Sequence, residues 1–295
     1  MCGIFGYLNL LKQQEKSTII EILLNGLKRL EYRGYDSAGI AIDKSPDSTL
    51  THICKEKGRV SDLQAKIAEE IITDCEFRKH FGIAHTRWAT HGEPASRNSH
   101  PHFSNEKLDF TLVHNGIITN WMELKKFLEN KGYSNFESET DTEVVAKLLQ
   151  YFYDKADTKP SFAELVTEVT EVVEGAFAFL VKSRHYPNEA IATRRGSPLL
   201  VGLTYTKSEK SSNIQNLRRD RAVSSSSVVE DRPVQEYFFS SDLSAIIEHT
   251  KKIIFLEDND MFIVGGNGQP INSGLKEAKL GIIFIEKFKS YRFSQ

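Results

Sequence analysis

The chemistry of this chain starts at Cys2. It directly follows the initiator Met, and a small residue there normally allows Met removal, leaving Cys2 with both a thiol and a free α-amine. The amine has a pKa of about 7.7–8.0 and the thiol about 8.5, so both titrate near neutrality. The amine can then serve as general base for its own side chain, directly or through a water. The competing reading is a small apolar residue opening a buried strand. Asn115 and Gly116 follow an apolar run, and an Asn N–H with a Gly backbone N–H can converge on one oxygen as an oxyanion hole. The alternative there is a turn that needs Asn-Gly. Arg87 has the fork that grips a carboxylate, or it makes a surface ion pair. Asp141 can take an ammonium group, or it is a helix N-terminal charge. A thiol, a carboxylate binder and an ammonium binder together point to an amino-acid substrate.

Five of the nine histidines lie between His85 and His114. His100-Pro101-His102 brings a metal to mind, but no Cys or carboxylate completes a ligand set at a usual spacing. No metal or organic cofactor is expected. Of the three cysteines, Cys54 and Cys75 have no motif around them and read as structural. The absence of a CxxC pattern and of a signal peptide points to a reducing, cytoplasmic setting.

These residues need a scaffold of mixed elements. Strands are expected at 4–9, 37–43, 50–55, 81–88 and 110–114, and again at 176–182, 190–193 and 199–203. Helical spacing recurs from Ile19 to Leu30, with Thr18 and Glu21 as a capping box, and from Leu63 to Ile71, with Ser61 and Gln64 at its start. Further helices are expected at 121–130, stopped by Gly132, at 142–153, and at 162–173, opened by Ser161 with Glu164. The stretch 208–227 is polar and Ser-rich and reads as an insertion. Past it come a strand at 237–239, a short helix near 243–249, and a closing strand pair at 253–256 and 261–264. The sequence GGNG from Gly265 reads as a hairpin turn. Without a regular βα alternation, the pattern favours α+β layers.

Composition sets the outer limits. The chain has 295 residues and a net charge of −2. That leaves no basic excess to drive nucleic-acid binding. Apolar residues make up 40% and charged residues 26%, which suits a globular protein with a core. No run of apolar residues is long enough to span a membrane.

The strings MCGIFGYLN, LEYRGYDSAGIA, GIAHTRWATHGEP, NSHPH, HNGIITN, SETDTE and TRRGSPLL occur in this order. Together they resemble the class II glutamine amidotransferase family. Within it, the chain is most similar to the glutaminase half of the isomerising glutamine:fructose-6-phosphate aminotransferases of eukaryotic type. The resemblance implies a four-layer αββα N-terminal-nucleophile fold with antiparallel sheets over residues 1–264. A polar insertion interrupts it at about 205–233, and 265–295 form an unassigned tail. It implies Cys2 as nucleophile on L-glutamine, with Asn115 and Gly116 as oxyanion donors. Arg87 and Asp141 would hold the substrate, Trp88, Thr90, His91 and Gly92 would shape its pocket, and Arg33, His100 and His114 would support it. Ammonia would pass to fructose 6-phosphate on a sugar-isomerase domain that this sequence lacks. The alternative is a non-catalytic glutamine-binding or regulatory module.

Overall fold

A computed structural model describes residues 2–46, 48–88, 93–206 and 233–265. The described chain runs β1 (Gly3–Asn9), β2 (Gln14–Glu15), α1 (Lys16–Leu30), β3 (Ser37–Asp43), β4 (Thr51–Lys57), α2 (Val60–Glu70), β5 (Glu76–Phe77) and β6 (His80–Arg87). It continues through β7 (His102–Phe103), β8 (Phe110–Ile118), α3 (Trp121–Asn130), α4 (Thr142–Lys155), α5 (Phe162–Val172), β9 (Gly175–Ser183) and β10 (Ala190–Arg195). It closes with β11 (Leu200–Tyr205), β12 (Val234–Ser240), β13 (Ile253–Phe255) and β14 (Met261–Val264).

A seven-stranded sheet in the order β13-β11-β12-β1-β6-β3-β4 lies against a five-stranded sheet in the order β14-β10-β9-β8-β7. Neighbouring strands within each are antiparallel. Both faces of both sheets are covered, so the strands read as near-continuous apolar runs. On one side, Ile19, Leu23 and Leu27 of α1 and Leu63 of α2 pack on Phe5, Tyr7, Ile40 and Ile42. Between the sheets, Ile4, Leu8, Phe81 and Ile83 meet Val113, Ala178, Leu180 and Phe262. On the far side, Leu128 of α3, Val144 and Leu148 of α4, and Val166 of α5 cover Phe110, Leu112, Phe177 and Phe179. These three apolar layers make the expected αββα sandwich.

Several local expectations hold. The helix 121–130 ends before Gly132, whose φ is +92°. Ser161 caps α5 reciprocally with Glu164. Others need correction. Helix α1 begins at Lys16, ahead of Thr18, and has no side-chain cap. The pairing of β2 with β5, with Lys16 N–H donating to Cys75 O at 2.9 Å, delivers the chain into the helix instead. Helix α2 starts at Val60, where Asp62, not Gln64, accepts the Arg59 N–H at 2.8 Å. The last two strands do not pair with each other. β13 adds to β11 and β14 to β10, so the chain crosses from one sheet to the other between them. The helix expected near 243–249 is reduced to a 3₁₀ turn, Leu243–Ala245. Most of the polar insertion, the GGNG turn after Gly265 and the tail lie outside the described residues.

Gly26 shows how tightly α1 seats on β1. A Cβ there would come within 2.5 Å of the buried Phe5 ring. In an exposed helix, Gly to Ala gains about 1 kcal/mol. Here the overpacking penalty of about 1–3 kcal/mol should win. Gly26→Ala is expected to lower the urea midpoint, and a raised midpoint would contradict this packing.

Candidate active site

Strand alternation decides which side chains meet. On β1, Ile4 and Leu8 face the other sheet while Phe5 and Tyr7 face α1. Cys2 therefore extends the inter-sheet row at its open end. On β6, His85 and Arg87 follow Phe81 and Ile83 on the inter-sheet side, and on β8 Asn115 follows Val113. Three strands from two sheets bring these groups to one rim.

The Cys2 thiol accepts the Trp88 backbone N–H at 3.3 Å and donates to Trp88 O at 3.6 Å. Burial pushes the thiol pKa up, against a smaller lowering by the Trp88 contact. Asn115 Nδ2 donates to Cys2 O at 2.9 Å. Its Oδ1 accepts from His85 Nε2 at 3.0 Å. Asn115-Gly116 was expected just past a strand. In the structure β8 runs on to Ile118, so both residues lie within it. Gly116 has φ +135°, and a Cβ would come within 2.0 Å of Ala176 O. Only glycine fits that backbone.

Arg87 is 4% exposed, and its Nη1 donates to Glu93 O at 3.2 Å. Burial draws its pKa down, opposed by Asp36 and other acidic neighbours. Asp141 caps the start of α4 without bonding the helix's own first turn through its backbone amides. Its Oδ2 accepts the Ile118 N–H at 2.7 Å, and its Oδ1 accepts the Thr142 hydroxyl at 3.3 Å. The preceding loop is tied down by Glu143, which accepts the Glu137 and Ser138 N–H groups and pairs with Lys147 at 3.5 Å. Cys2, Arg87, Trp88, Gly116, Thr140, Asp141 and Thr142 line one small cleft, with His100 and His114 on its wall.

The remaining expected residues fall into place differently. The Trp88 ring is half exposed and meets Tyr35 edge-on at 5.9 Å, so its backbone, not its ring, holds the thiol. Arg33 points away from the cleft to Asp242 at 2.5 Å. The next residue, Gly34, packs against the backbone beside the thiol, where a Cβ would lie 2.8 Å from Trp88 N. Thr90, His91 and Gly92 lie outside the described residues.

His100 and His114 are buried. His100 Nδ1 accepts the His114 N–H at 3.2 Å, and His114 Nδ1 meets Thr142 Oγ1 at 2.8 Å. His85 was not singled out from sequence, although it sits two residues before Arg87 on the same face of β6. Its partners are on the facing sheet, which the motif HTRWATHG does not reveal. Among the described residues, no group of three or more His, Cys, Asp or Glu is arranged to hold a metal. None of the described helices is long and apolar enough to cross a membrane.

Residues 85–219 match the family of glutamine amidotransferase domains. A mouse protein named glutamine–fructose-6-phosphate aminotransferase [isomerizing] 2 is 48% identical over 287 residues, covering 90% of this chain and 42% of that protein. The aminotransferase of the same name, without a number, from Saccharomyces cerevisiae is 41% identical over 314 residues, covering 88% and 44%. The chain thus spans about two fifths of the length of these curated relatives. A solved structure of the glutamine phosphoribosylpyrophosphate amidotransferase of B. subtilis superposes with a TM-score of 0.62 at 23% identity, covering 90% of this chain and 47% of that one. That likeness establishes the shared fold.

The buried histidines link stability to pH. Burial lowers His80 to about 4 and His85 to about 3, and it lowers His100, His102 and His114 as well. An unfolded histidine takes its proton near pH 6.5, so below that pH the unfolded state binds protons that the native state refuses. Stability is therefore complete above pH 6.5 and falls as pH drops toward the folded values. Each histidine contributes up to about 1.4 kcal/mol per pH unit in that window. The urea midpoint at pH 5.5 should lie clearly below that at pH 7.5, and equal midpoints would show that these rings are not held neutral.

Proposed function

We infer that this chain, which carries a class II glutamine amidotransferase domain, hydrolyses L-glutamine to glutamate and ammonia through a thioester on Cys2. The observation that carries the reading is the convergence of the Cys2 thiol, the Arg87 guanidinium and the Asp141 carboxylate on one cleft. Those charges match the two ends of an amino acid. Arg87 takes the α-carboxylate and Asp141 the α-ammonium, which leaves the side-chain carboxamide to reach Cys2.

Burial keeps the thiol protonated at neutral pH. It therefore needs a base, and the α-amine that Met1 removal leaves on Cys2 is within reach. The amine takes the thiol proton, and Sγ bonds to the carboxamide carbon. The carbonyl oxygen gains the negative charge and accepts from Asn115 Nδ2–H and the Gly116 N–H. Collapse of this adduct breaks the C–N bond, and the nitrogen leaves as ammonia with the proton from the ammonium. Water then adds to the thioester, the amine takes its proton, and the C–S bond breaks to release glutamate and restore the thiol. The Trp88 backbone seats the thiol and His100 and His114 support the cleft wall, while the family resemblance gives Thr90, His91 and Gly92 a part in binding glutamine and Arg33 a supporting one.

The names of the long relatives suggest the destination of the ammonia. It would go to fructose 6-phosphate, giving glucosamine 6-phosphate, on a sugar-isomerase unit outside this sequence. A reducing, cytoplasmic setting suits the three free thiols.

The test is glutamate release by protein whose N-terminal mass shows Met1 removed. Cys2→Ala should abolish turnover. Asn115→Ala should lower kcat by about 10²–10³-fold, the loss typical of one oxyanion donor. Arg87→Lys should raise KM for glutamine by about tenfold or more, because a point charge cannot replace the fork. Full activity in Cys2→Ala would sink the proposal.

A further inference from the structure

We propose that His85 is a positioning residue of the oxyanion hole, holding the Asn115 side-chain amide with its N–H₂ toward the nucleophile. The inference rests on the hydrolytic reading above and extends it to a residue with no contact to substrate.

An Asn amide is nearly symmetric in shape but not in function. With Nδ2 toward Cys2 it can donate to a developing oxyanion. Turned over, it would present Oδ1 to both the oxyanion and Cys2 O, and both contacts would be repulsive. Something must set the orientation. His85 Nε2 lies 3.0 Å from Asn115 Oδ1 and also 3.0 Å from His114 O. A backbone carbonyl only accepts, so Nε2 must carry the proton. That N–H can be shared with Oδ1 but not with an amide nitrogen. The His114 carbonyl thus sets the His85 tautomer, and the His85 tautomer sets the Asn115 orientation.

The rest of the ring's surroundings agree. His85 is fully buried on β6, opposite Ile4 of β1 and Gly39 of β3. Its Nδ1 is buried without a hydrogen-bond partner, which suits a bare nitrogen better than an N–H. The ring stacks on His100 at 4.1 Å with planes 16° apart, which holds its plane in line with Asn115 Oδ1 and His114 O. His100 in turn accepts the His114 N–H, which locks the peptide whose carbonyl fixes His85. The Asn115 amide is therefore held from both ends, by Cys2 O on Nδ2 and by His85 on Oδ1.

The experiment uses His85→Gln, whose amide nitrogen can occupy the Nε2 position, and His85→Asn, which is too short to reach it. Glutamine hydrolysis and alkylation of Cys2 by iodoacetamide are measured for each. Alkylation needs the thiol but no oxyanion hole. His85→Asn is expected to lower kcat by roughly 10–10²-fold, a part of the loss of a whole donor. KM and the alkylation rate should stay within about twofold. His85→Gln should recover most of kcat.

In an Asn115→Ala background, His85→Asn should change kcat by less than about twofold, because its target is gone. A full further loss in that background, or a His85→Asn enzyme as fast as wild type, would overturn the proposal. Asn115→Ala as active as wild type, with Cys2 still required, would instead overturn the oxyanion reading itself. Imidazole ¹⁵N shifts of the unaltered protein give a check that needs no variant. They should show Nε2–H with a bare Nδ1, and the opposite tautomer would overturn the proposal.

Discussion

The burial of both faces of two stacked sheets is the constraint on which the rest depends. A strand covered on both sides must be apolar throughout, and alternation then assigns every second side chain to the inter-sheet layer. Ile4, Leu8, Phe81, Ile83 and Val113 anchor that layer, and register is fixed because a one-residue slip would exchange the two faces. Cys2, His85, Arg87 and Asn115 continue the same rows past the last apolar residue. The site is the polar edge of the apolar sandwich, and the packing energy of the core is what holds four polar groups on two sheets in mutual reach.

That arrangement requires burying polar groups, which is unfavourable unless each finds a partner. The structure limits the cost with neutral imidazoles, of whose buried nitrogens in this wall only His85 Nδ1 and His114 Nε2 have no hydrogen-bond partner. His85, His100, His102 and His114 are all buried, with pKa values driven down by burial. A neutral ring can donate on one side and accept on the other without a counter-charge. His100 accepts from the His114 backbone, His114 reaches Thr142, and Thr142 donates to Asp141. The wall behind the cleft is thereby polar enough to orient Asn115 and Asp141. It adds no second cation beside Arg87.

The sequence carried the residue types well and the long-range partners poorly. Cys2, Asn115-Gly116, Arg87 and Asp141 each allow a purely structural reading at one position, and only their combination points to a site; the structure brings all of them to one rim. The capping of α5 by Ser161 was legible because it is local. The start of α1 was not, since a two-residue pairing with distant Glu76 and Phe77 overrides Thr18. β13 and β14 are neighbours along the chain but belong to different sheets, and no local signal marks the crossing between them. His85 was passed over for the same reason. Nothing within several residues of it reveals that its acceptors sit on the facing sheet.

The glycines at the site show how backbone and chemistry are joined. Gly116 occupies a left-handed conformation in the middle of β8, where an Ala Cβ would strike Ala176 O. A regular strand would turn successive amides to opposite sides, into the neighbouring strands. Pairing with β9 nevertheless continues without a register shift through Gly116, so the strand keeps its ladder while holding this conformation next to Asn115. Gly34 does the complementary task from the other side, letting the chain after Arg33 press on the Arg87–Trp88 backbone that cradles the thiol. The thiol itself is held by main-chain atoms of Trp88 and not by a charged side chain. On the proposed hydrolytic reading, its activation falls to the α-amine that removal of Met1 would leave on the same residue.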